Sequence, residues 1–186
     1  MDQGEHTWII ALPDRPHAYL DTMADFATVL AAYQALPSQL KSLMLATVNP
    51  DGRPQASYAP YLMDADRQFY IFVSGLSPHT ANLLRTGQAS VLLIQDEGQS
   101  PQVFARQRLS YDCQVTLVER QTEPWEALAQ GFEDRFGEVV ALLRSLPDFQ
   151  ILRLRPLGGR FILGFGAAYE VDSQDLNQLR PETVKG

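Results

Sequence analysis

The stretch 42–63 constrains this chain most. Ser42-Leu-Met-Leu-Ala-Thr-Val48 runs into Asn49-Pro50-Asp51-Gly52 and then into Arg53 to Met63. Two β-rich runs on either side of such a turn predict a hairpin. After the polar turn Asp64 to Arg67, Gln68 to Ser74 is rich in aromatic and β-branched residues and predicts a third strand. Ala89 to Gln95 and Arg108 to Glu119 predict a fourth and a fifth. Gln150 to Arg155 and Arg160 to Phe165 predict a last hairpin around Leu157-Gly158-Gly159.

Helical patterns punctuate these strands. Thr22 to Leu36 places Met23, Phe26, Val29, Leu30 and Tyr33 at helical spacing, with Pro37 as its end. Ser77-Pro78 is a helix-start signal, with Ser77 as cap, Pro78 in the first position and Gly87 as the stop. From Thr122, residues Trp125, Leu128, Phe132, Phe136, Val140 and Leu143 form one apolar face, closed by Pro147. About six to seven antiparallel strands with flanking helices predict an all-β or α+β fold. A small barrel suits it, because closure removes exposed edges. The expected organisation is an N-terminal arm over 1–20, a barrel domain over 21–172 and a polar tail over 173–186.

With 186 residues, 45% hydrophobic and 20% charged, the chain can bury a sizeable core in one domain. Its net charge of -7 argues against a nucleic-acid partner, which needs clustered Lys and Arg. Met1 to Trp8 lacks a basic, then apolar, leader pattern, and no apolar run is long enough to span a membrane. The expectation is a cytoplasmic protein without membrane partners. Cys113 is the only cysteine, which precludes an intramolecular disulfide, and its place in an alternating run predicts core packing.

The chain carries no Walker loop, GxSxG or HExxH motif. Gly164-Phe165-Gly166 follows a strand and predicts a bend. His6 and His17 fall in the arm and are expected to face solvent. His79 falls in the first turn behind Ser77. Free N–H groups and the dipole there suit a phosphate or propionate, with Thr80 and Asn82 nearby; the alternative is a polar turn facing water. Arg106 and Arg108 share one side of a strand if alternation holds, and could clamp a carboxylate; the alternative is a solvated charged edge. Arg53 and Lys41 could add positive potential at a strand end. Glu133, Asp134 and Glu138 read as a solvated helix face, and Asp148 as a turn residue at a strand start.

The first hairpin resembles that of the pyridoxamine-phosphate-oxidase-like FMN split barrels. More specific are Ser57-Tyr-Ala-Pro-Tyr61, His79-Thr-Ala-Asn-Leu83, Phe104-Ala-Arg-Gln-Arg-Leu109, Arg135-Phe-Gly137 and Gly164-Phe-Gly-Ala-Ala-Tyr169. In that order, from about Lys41 to Val171, they are similar to the HugZ/HutZ heme-utilisation branch of that superfamily.

The resemblance implies a split barrel, a homodimer with two equivalent sites at the subunit interface, and a heme-binding or heme-degrading function. It assigns catalytic positions to Arg108, beside the heme, and to its neighbour Arg106. It also places His79 and Asp148 at the cofactor, the latter matching an aspartate that supports the axial ligand; joined to the helix-start reading, the expected cofactor-binding set is Ser74, Ser77, His79, Thr80, Asn82, Arg108 and Asp148. The branch's C-terminal histidine has no counterpart in Asp172 to Gly186, so no metal ligand is assigned. Where flavin oxidases of the superfamily use Arg and Lys, this chain has Ser57, Leu62, Pro78 and His79. The alternatives are an FMN-dependent oxidoreductase, or a non-enzymatic binding module that kept the barrel and lost its cofactor.

Overall fold

The computed structural model describes residues 25–182. The elements run α1 (Phe26–Gln39), β1 (Ser42–Val48), β2 (Pro54–Met63), β3 (Phe69–Ser74), α2 (Pro78–Thr86), β4 (Gln88–Ile94) and β5 (Arg108–Val118). There follow α3 (Glu123–Phe136), α4 (Val139–Ser145), β6 (Phe149–Gly164), β7 (Ala167–Val171) and β8 (Leu179–Pro181). The strands form one antiparallel sheet in the order β3-β2-β1-β4-β5-β6-β7-β8, and β3 also pairs with β6. That last pairing closes β1 to β6 into a six-stranded barrel, with β7 and β8 as an extension. The predicted split barrel is thus observed as an α+β fold.

The first hairpin forms as predicted. Gly52 takes φ 78°, and the side chain of Asn49 accepts a hydrogen bond from the Arg53 N–H at 2.8 Å. Strict alternation on β1 sends Leu43, Leu45 and Thr47 inward and Ser42, Met44, Ala46 and Val48 outward. The barrel interior is filled by Leu43, Leu45, Tyr61, Phe69, Ile71, Val91, Leu93, Leu109, Tyr111, Leu152, Leu154 and Phe161. Helix α1 closes one end with Val29, Tyr33 and Leu36. A second cluster, Phe72, Trp125, Ala129, Phe132, Val140 and Ile151, glues α3 and α4 to the outer side of β3 and β6.

Four local expectations change. Pro37 does not end α1, which continues to Gln39; the Pro37 carbonyl accepts from Tyr61 Oη at 2.5 Å and from the Leu40 N–H at 3.4 Å. The long helix after Thr122 is two helices, because Gly137 (φ 85°) breaks it. The last hairpin is instead one strand, β6, paired with β5 along almost its whole length. Leu157-Gly158-Gly159 lies at the irregularity opposite Asp112 and Cys113 rather than in a turn. A Cβ on Gly159 would meet the Ser110 carbonyl oxygen at 2.2 Å, so a close backbone approach explains this glycine. Finally, Leu179–Pro181 adds a strand within the segment read as a tail, with Leu179 buried.

The Gly164-Phe165-Gly166 bend joins β6 to β7 as expected, with Gly166 at φ 69°. Cys113 is buried in the core, and burial pushes its thiol up to about 12. No helix among the described residues is long and apolar enough to cross a membrane. The arm over 1–20, with His6 and His17, lies outside the described residues.

Candidate functional site

The structure sorts the predicted residues into two groups. The first gathers where β3 ends, α2 begins and β6 starts. Ser74 Oγ donates to Asp148 Oδ2 at 2.6 Å, and the Gly75 N–H donates to the Asp148 carbonyl at 2.7 Å. Ser77 occupies the cap position of α2, but its side chain makes no capping bond. The turn is held instead by the Thr80 N–H on the Ser77 carbonyl and by Thr80 Oγ1 on the Ser74 carbonyl, at 2.9 and 2.7 Å. Thr80 is therefore buried and occupied. So is Asn82, whose Nδ2 donates to Thr47 Oγ1 and to Gln55 Oε1. These two residues shape the turn rather than present free donors to a ligand.

His79 differs. Its Nε2 is buried without a hydrogen-bond partner, and burial holds its pKa below the ordinary 6.5. Ser57 Oγ on β2 and Gln150 Oε1 on β6 are also buried and unpartnered. Unsatisfied buried polar atoms are costly, and such atoms are frequent where a ligand completes the hydrogen bonding. A Cβ on Gly75 would lie 3.0 Å from the Asp148 carbonyl and 3.5 Å from Gln150 Nε2, so Gln150 belongs to this neighbourhood. Sequence reasoning missed Gln150, which looks like any strand-start polar residue. Leu76, in the same loop, is 87% exposed.

The second group lies toward the other end of β6. Arg108 pairs with Ile94 on β4 and Ile162 on β6, whereas Ser74 pairs with Phe149. Thirteen residues of β6 (149 to 162) separate the two places, or about 40 Å of extended strand. Arg106 is committed to its own loop: Nε and Nη2 donate to the Gln95 carbonyl at 3.1 and 2.5 Å, and Nη1 lies 3.5 Å from Glu97. Arg108 gives one bond, from Nη1 to the Arg106 carbonyl at 3.0 Å, and pairs with no carboxylate among the described residues. Nearby in sequence, Phe104 is 84% exposed.

Arg108 sits on the outward face of the barrel wall β2-β1-β4-β5. Register places Tyr58, Met44, Leu92 and Ser110 in one row across these strands, all outward. Tyr58 is 65% and Met44 51% exposed. Arg108 stands two residues from Ser110 on the same face. A wall bearing apolar side chains beside a guanidinium suits a second protein surface, or a planar apolar ligand with an acidic edge. Among the described residues, no group of three or more His, Cys, Asp or Glu could hold a metal ion.

Residues 29–163 match the family description "Pyridoxamine 5'-phosphate oxidase". The heme oxygenase HutZ of Vibrio cholerae serotype O1 is 40% identical over 136 residues, covering 73% of this chain and 77% of that protein. The crystal structure of HutZ, described as a heme storage protein from the same species, superposes with a TM-score of 0.62 at 35% identity. It covers 70% of this chain and 88% of its own. Campylobacter jejuni ChuZ superposes with a TM-score of 0.74 at 26% identity, covering 87% of this chain and 68% of its own.

Proposed function

Because the chain belongs to the pyridoxamine 5'-phosphate oxidase family of split barrels, in its heme-utilisation branch, we propose that it binds heme between two copies of itself. The observation that carries this reading is Arg108: a guanidinium without a carboxylate partner, beside an outward apolar row of Tyr58, Met44 and Leu92. Pairing two such walls removes exposed apolar surface from water and leaves Arg108 at the margin of the interface. A heme propionate there gains a charge-assisted, bidentate partner. The α2 turn of the second copy, with Leu76, His79 and the Ser74–Asp148 pair, is the other wall of the site.

Heme is then the substrate as well as the ligand, and its own iron supplies the oxygen chemistry, with electrons from an external reductant. The protein's contribution is binding, orientation and exclusion of water. Arg108 fixes the acidic edge, Phe104 offers a stacking face, and Arg106 holds the 95–107 loop that carries Phe104 and leads into Arg108. The unpaired, buried thiol of Cys113 suits the reducing cytoplasm.

A second reading, FMN binding, is favoured by two orphaned atoms, His79 Nε2 in the first turn of α2 and Ser57 Oγ on β2. These suit a flavin phosphate, but a histidine held neutral by burial contributes no counter-charge. The two readings separate in one experiment. Hemin added to the wild-type protein should give a saturable Soret shift that weakens about tenfold in affinity in Arg108→Ala, while FMN leaves the melting temperature unchanged. A rise in melting temperature with FMN and no spectral response to hemin would replace heme with flavin.

A further inference from the structure

A separate cleft opens between the first hairpin and α2. It has a volume of about 470 Å³, and its polar lining comes from Asn49, Arg53, Gln55, Asn82 and Arg85, with prolines as rigid walls. Pro78, Ala81, Asn82 and Arg85 share one face of α2 by their helical spacing, while His79 lies on another. We propose that this cleft is a binding site for a phosphate-bearing anion, held by Arg53 and Arg85.

Three observations converge on it. The chain has 22 acidic and 15 basic residues, yet no carboxylate lines this cleft and neither guanidinium has an ion-pair partner among the described residues. Arg85 is pre-oriented: its Nη2 donates to the Val48 carbonyl at 2.6 Å, which leaves its other N–H groups for a ligand. Gln55 Oε1 is occupied by Asn82 Nδ2 at 2.8 Å, so the free end of the Gln55 amide is its NH2 donor. Two guanidiniums and an amide donor in a concave, carboxylate-free pocket match the demands of a phosphate group. Arg53, Gln55 and Arg85, which supply the donors, have no part in the heme reading, so the two proposals stand or fall separately.

The test is calorimetric titration of the full chain with inorganic pyrophosphate at low salt. Wild type should bind, and Arg53→Ala and Arg85→Ala should each weaken binding about tenfold. Among the described residues the Arg53 side chain makes no hydrogen bond, so Arg53→Glu tests the site without disturbing the hairpin. Arg153→Ala, which removes an arginine from the opposite part of the barrel wall, should leave binding intact. An absence of binding heat in the wild type overturns the proposal. So does equal weakening in Arg153→Ala, which would mark the binding as general charge attraction.

Discussion

Ser74 and Asp148 lie 74 positions apart in sequence and share a 2.6 Å hydrogen bond that joins the end of β3 to the entrance of β6. With the Gly75 N–H on the Asp148 carbonyl, it seals the closing seam of the barrel beside the α2 turn. Asp148→Ala should cost about 1–2 kcal/mol, the usual range for losing a bond to a charged group at a half-buried position. Ser74→Ala should cost a similar amount, and the double variant little more than either. Denaturant unfolding of the three variants checks this; fully additive losses would show that the two side chains are not coupled.

Gly159 should tolerate no side chain. Its missing Cβ would sit 2.2 Å from the Ser110 carbonyl and 2.5 Å from the Tyr111 ring, and neither can move without opening the β5–β6 ladder. Gly159→Ala is expected to destabilise by about 3 kcal/mol. Gly52→Ala, with open space around it, should lose less, through its φ of 78° alone. Thermal melts of both variants give the ranking, and the reverse order would contradict the register at Tyr111.

His79 makes stability depend on pH in a definite direction. Burial holds its folded pKa below the ordinary 6.5, so the unfolded chain takes up the proton first as pH falls. Its contribution is complete above 6.5 and is lost as pH drops through the folded value. Melting temperatures of the wild type and His79→Gln between about pH 5 and about pH 7.5 should converge on acidification. Parallel profiles would show that the imidazole is solvated.

Cys113 should be chemically silent. Its side chain is buried and its thiol is pushed up to about 12, so almost no thiolate exists near neutrality. A thiol-specific chromogenic reagent should label it only after denaturant unfolds the chain. Rapid labelling of the folded protein would show that β5 opens locally.

Much of this architecture was legible in local pattern. The Asn49–Gly52 turn, the alternation on β1 and the Ser77-Pro78 start with Gly87 as stop each encode their element within about ten residues. What failed was non-local. Leu157-Gly158-Gly159 has turn composition, but β5 runs beside it as a continuous partner and overrides that preference. Gly137 was visible, yet its φ of 85° depends on how α4 folds back onto Phe72 and Ile151. Site residues followed the same division. The His79 turn was readable from helix-start chemistry, whereas the occupation of Asn82 by Thr47 and Gln55 requires the barrel to be closed. Arg67 gave no signal at all: it looked like a turn residue, but is only 6% exposed, with its guanidinium over the Tyr33 ring at 4.1 Å and Nε on the Tyr111 hydroxyl.

The most direct test asks whether heme needs two copies. Met44 is half exposed in the single chain, so Met44→Glu leaves the barrel core untouched while setting a charge in the middle of the outward row. Light scattering and hemin absorbance should be measured on the same samples. The account predicts a dimeric wild type with a saturable Soret band, and a folded monomeric variant that has lost that band. A monomeric Met44→Glu chain that takes up hemin as the wild type does would contradict it.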